Sequence, residues 1–503
     1  MSVTEAIGLP TAQAQSFSAA RTMAGIQRRQ LALDALAGVR SVTQLAHDNE
    51  VSRKFVYQQA AKGAAALDQC FAQSSAEQEV LFTLPVTRQW LEAFMLELML
   101  NGHSPMRGVQ QIIEDLFPAT VSLGTIHNVV YAAAKRAQVL HAEEDLSAIR
   151  VGAHDEIFQA GQPVLVGADA DSTYCYLLAL AQGRGETEWG AQLLDLGAKG
   201  LHPDYTVADF GRGLRAGQAA AWPGIPCHGD VFHVERAVSQ VVVYLEHRAL
   251  RSMAAVETLS AQMQRAKKHH QGRRLSAALA AAREEEGAAL DVADDVACLA
   301  RWLAQDVLAI AGPDLPTRRE LFDWIVRELR LREAHAPHRL GPLCRLLENN
   351  RDDILGFVSV LEQALAALAQ EFHVAAGTVQ ALGQWQGLPA DDPRRWQQEA
   401  ALRRQLGARF YPLQHAVQQA LAQVVRASSI IENLNSRLRS YFFLRRELGP
   451  EYLDLLRFFL NHRRFQRSQR AERVGRSPIE LLTGQTQPHW LTLLGYPLPA
   501  QAA

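Results

Sequence analysis

The spacing of apolar residues changes along the chain, and each change marks a boundary. Up to about residue 147 the apolar positions recur every three or four residues, the period of amphipathic helices. From Gly152 to His233 they form short runs rich in β-formers, broken by Gly and Asp/Ser turns. His154-Asp155-Glu156-Ile157-Phe158, Pro163-Val164-Leu165-Val166-Gly167 and Tyr174 to Leu180 read as three consecutive antiparallel strands, with turns at Gly161 and Asp171-Ser172. A helical stretch from Thr187 to Leu196 follows. Tyr205-Thr206-Val207-Ala208-Asp209 then predicts a fourth strand, with Gly211 and Gly213 read as permitting a tight turn into the next helix. Ile225 to His233 suits a fifth strand leading into a long helical region. From Val234 to Val425 the helical period returns, with turns at Gly312-Pro313, Ala336-Pro337 and Leu388-Pro389.

The N-terminal helices predict two modules. In the first, Ser41 opens a helix, the chain turns through Asn49 and Glu50, and Ser52 caps a second helix. With Leu45, Ala46, Val51 and Val56 apolar, this is a helix-turn-helix pattern whose second helix would face DNA. Arg53, Lys54, Tyr57 and Gln58 suit phosphate and base-edge contacts there. The second module has an apolar stripe through Trp90-Leu91, Phe94-Met95 and Leu98-Met99, a helix after Ser104-Pro105 and another from Val121. It reads either as a further helix-turn-helix with Thr125, His127 and Asn128 outward, or as a bundle that joins domains.

A chain of 503 residues exceeds one ordinary core, so several domains are expected. The boundaries fall at 1–79 and 80–147 for the helical modules, 148–233 for the strands, 234–425 for an all-helical insertion, 426–484 for basic C-terminal helices and 485–503 for a tail. A net charge of -2 hides a basic face: between Ile430 and Arg476 lie eleven arginines, no lysine and five carboxylates. Arg437, Arg439, Arg445, Arg446, Arg463 and Arg464 belong to it. Tyr441, Phe442, Phe443, Phe458, Phe459 and Phe465 are expected to pack on one side while the guanidinium groups reach phosphates on the other. Lys267, Lys268, His269, His270, Arg273 and Arg274 form a second basic run, read as a DNA contact or a solvated helix face. Trp302, Trp324, Trp385 and Trp396 are expected in packing rather than base stacking.

Five single cysteines support neither a disulfide framework nor a zinc ribbon. The start of the chain lacks a signal-peptide pattern, and no apolar run approaches about 18 residues, so a cytoplasmic protein without membrane contact is expected. There is no Gly-x-Ser-x-Gly elbow and no phosphate-binding Gly-x-x-x-x-Gly-Lys-Ser/Thr loop, which argues against a covalent serine mechanism and a nucleotide cofactor.

Three acids remain as candidates for chemistry. Asp155 lies within the first strand, where a carboxylate is costly unless solvated or bound to something positive. Alternation sends its neighbour Glu156 to the opposite face. Asp209 falls at the carboxyl end of the fourth strand, where ligands of open α/β sheets gather. Glu432 reads in two ways: as the third residue of a capping box opened by Ser429, or as a ligand projecting from the first turn of a helix packed on the sheet. Asp169 and Asp171 compete with Asp155 but read as turn formers. His228 and His233 beside Asp230 lack the second ligand pair of a zinc site and read as structural or DNA-contacting. Two Mg²⁺ ions about 4 Å apart can clamp the attacking and leaving oxygens of a phosphoryl displacement, and hard carboxylate oxygens suit them.

Asp155-Glu156, Asp209 followed by Gly211 and Gly213-Leu214, the step ending at Asp230-x-x-His233, and Glu432-Asn433-x-Asn435-x-x-x-Arg439 together resemble the DDE transposases of bacterial insertion sequences. The resemblance spans about Gly152 to Gly484. Many relatives have Cys-x-x-His where this chain has Asp230-x-x-His233. Ser477-Pro478-Ile479-Glu480-Leu481-Leu482 is similar to the closing segment of integrase-like catalytic domains.

The resemblance implies an α/β RNase H-like core with a mixed sheet, interrupted by the helical insertion and preceded by the helix-turn-helix modules. It implies Asp155, Asp209 and Glu432 as ligands of two Mg²⁺ or Mn²⁺ ions, cleavage of transposon ends and transfer of the 3′ hydroxyl into target DNA. The implied partners are terminal inverted repeats, target DNA and further copies of the chain. The alternative is an inactive, domesticated transposase that binds DNA sequence-specifically.

Overall fold

The computed structural model describes residues 20–71, 83–268, 273–445 and 448–497. The chain divides into two compact units, Met1–Pro85 and Val86–Ala503. Arg446, one of the expected DNA contacts, lies outside the described residues, as do His269 and His270 of the second basic run.

In the first unit, α1 (Gly25–Leu36), α2 (Val42–Asp48) and α3 (Arg53–Phe71) bury Leu31, Leu45, Ala46, Val51 and Val56 against one another. Ser41 caps α2 by accepting from the Gln44 amide, and Gln44 returns a bond to the Ser41 backbone. Ser52 accepts from the Phe55 amide at the start of α3. Because Val56 is buried and Arg53, Lys54, Tyr57 and Gln58 are exposed, α3 turns its basic and polar face to solvent.

The second unit begins with α4 (Arg88–Leu100), α5 (Met106–Leu116) and α6 (Leu123–Ala142). Ser122 caps α6, and Thr125, His127 and Asn128 are exposed on its first turns. Their apolar faces do not close on themselves. Leu96, Leu100, Ile113, Ile126, Val130 and Ala133 share one core with the sheet and with the C-terminal helices.

The sheet comprises β1 (Val151–Gln159), β2 (Gln162–Asp169), β3 (Cys175–Leu180), β4 (Tyr205–Ala208) and β5 (Cys227–Gly229), in the order β3-β2-β1-β4-β5. The β1–β2 and β2–β3 pairs are antiparallel, and β1–β4 and β4–β5 are parallel. The parallel steps are crossed by α7 (Glu186–Ala198) and α8 (Arg212–Ala221), as parallel pairing requires. Helix accounts for 69% of the structure, so this mixed sheet is a small platform among helices.

Both faces of the sheet are covered, which explains the nearly unbroken apolar run of β2. Ala153, Ile157, Val164, Val166 and Ala168 face α4–α6 and the C-terminal helices, whereas Leu165, Tyr176 and Leu177 face α7 and α8. The two glycines after β4 act differently from the expectation. Gly211 has an ordinary φ of -62°, and a Cβ on Gly213 would fall 2.0 Å from the Arg184 carbonyl. Close approach of α8 to the loop before α7, rather than a left-handed turn, is what requires a glycine at 213.

After β5 the chain leaves through α9 (Val231–Lys268) and α10 (Arg273–Trp302), and returns through α11 (Leu315–Leu331), α12 (Pro337–Asn349), α13 (Arg351–Ile354), α14 (Gly356–Glu371), α15 (Ala376–Gly387), α16 (Pro393–Leu406) and α17 (Phe410–Gln423). These helices have a core of their own, from Val231 to Val424. Trp385 is buried there; Trp302 packs on Trp324 at 5.3 Å but is exposed on its other side, and Trp396 is exposed. The chain then rejoins the sheet as α18 (Ser429–Phe443) and α19 (Pro450–His462), followed by α20 (Pro478–Thr483) and α21 (Trp490–Leu493). Ser477 and Glu480 form a reciprocal capping box at α20.

Candidate functional site

The alternation of β1 decides which acid faces which side. Asp155 has the parity of Ala153 and Ile157, so it points to the face on which α18 packs. Glu156 and His154 point to the other. There Glu156 accepts from Trp189 Nε1 at 2.9 Å, and His154 meets the Tyr176 hydroxyl at 2.9 Å. Burial drives the His154 imidazole down to about 3, so it is neutral. Asp169 ends β2 by accepting from both the amide and the hydroxyl of Ser172, and Asp171 is exposed; both belong to the turn.

The parallel register pairs His154 with Ala208, so Asp155 and Asp209 are the next residues along the two neighbouring segments, where β4 ends and β1 continues. Asp209 Oδ1 accepts from the Gly211 amide at 2.9 Å. Arg215 braces the same corner. It donates to the Asp209 and Cys227 carbonyls at 3.1 and 3.2 Å, and to Asp353 of the insertion at 2.7 Å.

Glu432 arrives from α18. Ile431, Leu434, Leu438 and Tyr441 bury one face of that helix against the sheet, which leaves Glu432 partly buried at its edge. The expected capping box is absent. Ser428 rather than Ser429 occupies the N-cap, and its hydroxyl donates to Asp230 instead of capping the helix. Asp230 also accepts from His233 Nδ1 at 2.8 Å, and His233 Nε2 lies 3.9 Å from Glu432.

The electrostatics tie these groups together. Burial foremost, then the charges of Asp209 and Glu432, push the Asp155 carboxyl up to about 6, although the Glu156 amide and His233 oppose the shift. The hydrogen bond to Asp230 raises His233 above the ordinary imidazole value, and Asp155 and Asp209 reinforce it. Burial alone would raise Asp230, but the bonds from His233 and Ser428 hold it low. The fold thus brings Asp155, Asp209 and Glu432 into one electrostatic neighbourhood, with the His233 imidazole facing them.

Among the described residues, no group of three or more His, Cys, Asp or Glu side chains is arranged to hold a metal ion as it stands. The hydrogen bonds give the reason: Asp155 Oδ1 accepts from the Glu156 amide and Oδ2 from Asn435 Nδ2 at 2.6 Å, and Asp209 is turned to Gly211. The donor set nevertheless has the chemistry a hard cation needs. It consists of carboxylates that repel one another, and beside them Asn435 Oδ1 is buried without a partner.

Asn435 is the site residue to which the sequence assigned no role, although it stands three positions after Glu432 and hence on a neighbouring face of the same helix. The expected DNA contacts scatter more widely. Arg53, Lys54, Tyr57 and Gln58 belong to the first unit; Thr125 and Asn128 lie on α6. Arg439 is exposed on α18, Arg445 stacks on Tyr452 at 3.5 Å and Arg464 pairs with Glu480 at 2.9 Å. The aromatic residues do not all pack inward, since Phe443 is 90% exposed.

No protein-family model matches the chain, and no curated protein matches it. No helix among the described residues is long and apolar enough to cross a membrane.

Proposed function

We propose that the protein is a DNA transposase of the DDE type, whose RNase H-like core cuts the ends of a mobile element and joins the freed 3′ hydroxyl to target DNA. The observation that carries this is the Asp155 carboxyl. Acids 54 and 277 residues further along the chain converge on it and, with burial, lift its pKa to about 6. Folding has concentrated negative charge at the carboxyl end of β4, and such an arrangement is unfavourable unless something positive is meant to enter. The sheet order, with three antiparallel strands followed by two parallel ones, supports the RNase H-like fold.

Asp155, Asp209 and Glu432 would hold the cations, with Asn435 keeping Asp155 oriented from α18. Mg²⁺ or Mn²⁺ bound there would supply Lewis acidity and an activated water at neutral pH. His233, fixed by Asp230, presents Nε2 to the same corner and can hold a proton beside a departing oxygen. The exposed face of α3 offers cations and amides to duplex DNA, and the arginines around α18 offer guanidinium groups to phosphates. Synapsis of two DNA ends would make the working form an oligomer.

A second reading, a domesticated transposase that binds DNA without cutting it, is favoured by one observation: Asp155 and Asp209 are engaged with protein donors, and among the described residues no group of three is arranged to hold a metal ion. One experiment separates the two. The full chain is incubated with Mg²⁺ and duplexes drawn from the DNA flanking its reading frame, and nicked and strand-transfer products are resolved. The transposase yields both products, and Asp155→Asn, Asp209→Asn and Glu432→Gln each lose about a thousandfold in rate, the scale of several kcal/mol of lost charge stabilisation. Binding without cleavage by the unaltered chain would establish the second reading instead.

A further inference from the structure

A groove of about 930 Å³ runs beside α18, between that helix and the segment that follows α19. Ile430, Asn433, Leu434 and Arg437 form one wall, at the spacing that places helical residues on a common face. Arg463 to Arg470, with Arg473, form the other. Glu432 lies between the lining residues Ile430 and Asn433 in the chain, so the groove begins at the turn of α18 that carries the third acid.

The arginines of this groove are not equivalent. Arg464 is paired with Glu480, and Arg470 with Asp171 at 3.3 Å. Arg437 and Arg463 are half-buried and make no ion pair among the described residues. They are also close enough to repel: burial and then the Arg463 charge lower Arg437, and burial followed by the same two arginines lowers His103. Two partly desolvated guanidinium groups side by side are unfavourable alone, and become favourable when a phosphate enters between them.

The rest of the lining is part polar, with Thr173, Ser429, Asn433, Gln466, Ser468 and Gln469, and part apolar. Ile430, Leu434 and Phe465 contribute the apolar side chains, and Phe465 is fixed on both sides of its backbone. Its amide donates to the Arg476 carbonyl at 2.9 Å, and its carbonyl accepts from the Gly475 amide at 2.8 Å. A duplex offers a protein surface its phosphates and sugars, with the base faces stacked away. Recessed arginines next to a fixed aromatic ring match a strand whose bases are unpaired.

We propose that this groove binds one unpaired nucleic-acid strand, with Arg437 and Arg463 holding a phosphodiester and Phe465 receiving the face of a base. That this strand is the one cut at the adjacent acids rests on the transposase proposal. The binding itself does not.

The test uses the full chain in EDTA, so that cleavage plays no part. Fluorescence anisotropy measures affinity for a labelled eight-nucleotide DNA strand, the same sequence as a duplex, and an oligoglutamate of equal charge. Phe465→Ala should weaken strand binding about fivefold or more while leaving duplex binding unchanged. The double variant Arg437→Gln, Arg463→Gln should reduce the slope of log affinity against log salt by about 0.7 for each arginine, and Arg437→Lys should retain its share. Circular dichroism checks that each variant folds. Strand affinity and slope indifferent to these changes in folded protein, or equal binding of the oligoglutamate, would overturn the proposal. If strand binding behaves as expected but the chain cuts no DNA with Mg²⁺, the groove stands and the transposase proposal falls. If the chain cuts DNA and the variants bind the strand as before, only the groove proposal falls.

Discussion

Asn435 donates its amide to Asp155 across 2.6 Å and so joins α18 to β1, although the two residues are 280 positions apart. The bond sets where Glu432 stands relative to Asp155, because Glu432 occupies the preceding turn of the same helix.

Asn435→Ala should therefore act on both stability and chemistry. Losing a buried hydrogen bond to an ionisable group costs about 2 kcal/mol, visible as a lower urea midpoint with an unchanged slope. Cleavage should fall by more than that loss of folded protein explains, since Asp155 then loses its tether to α18 and keeps only the Glu156 amide. A variant with full cleavage would show that α18 needs no tether to β1.

The raised Asp155 makes a pH prediction with a definite sign. Its folded pKa of about 6 lies above the unfolded value, so the folded state binds more protons between about pH 4 and pH 6. In EDTA, stability should fall as pH rises through that window. Asp155→Asn removes the charge and should be the more stable protein at pH 8, by up to about 3 kcal/mol, with the difference vanishing below about pH 4. Urea midpoints across pH measure this; parallel profiles for the two proteins would contradict the buried, mutually repelling carboxylate.

Glu144 predicts the opposite sign. Burial alone would raise it, but the bond from His141 and the Arg457 charge bring it down to about 2. The stability it contributes is present above the ordinary carboxyl pKa and is lost as pH falls toward 2. Arg457, which also donates to the Tyr176 carbonyl at 2.7 Å, pins α19 to β3 from within the core. Arg457→Met should cost about 3 kcal/mol at pH 7, because it leaves a buried carboxylate without its guanidinium. The deficit should shrink in acid.

The insertion touches the sheet where Gly356 meets His228. A Cβ on Gly356 would fall 2.0 Å from His228 Nδ1. Gly356→Ala should cost about 1–3 kcal/mol through overpacking, and His228→Ala in the same chain should restore part of it. Simple additivity of the two changes in a thermal melt would deny the contact.

The strands were legible because their punctuation is local. Gly161 and Asp171-Ser172 mark the turns of the antiparallel part, and period two separates Asp155 from Glu156 without reference to any other element. What failed depended on distant partners. The Ser429-Glu432 spacing has the form of a capping box, but the hydroxyl of Ser428, one residue earlier, is drawn to Asp230, 198 positions away in the chain. The role of Asn435 was hidden for the same reason. The glycines after β4 carry a signal for flexibility, yet Gly213 is set by the nearness of the Arg184 carbonyl. Burial of individual aromatics was also illegible: Phe443 and Trp396 share the helical spacing of packed neighbours and are exposed. The helices before β1 have apolar stripes that resemble a module of their own, but their core is completed by Ala153, Ile157 and the C-terminal helices.

The most direct measurement counts divalent ions at the acidic corner. Mn²⁺ binding, followed by electron paramagnetic resonance on the full chain with a flanking duplex present, should saturate at two ions per chain. Asp155→Asn, Asp209→Asn and Glu432→Gln should each abolish at least one of them. No saturable binding, or binding indifferent to Glu432→Gln, would contradict a shared cation site built from these three carboxylates.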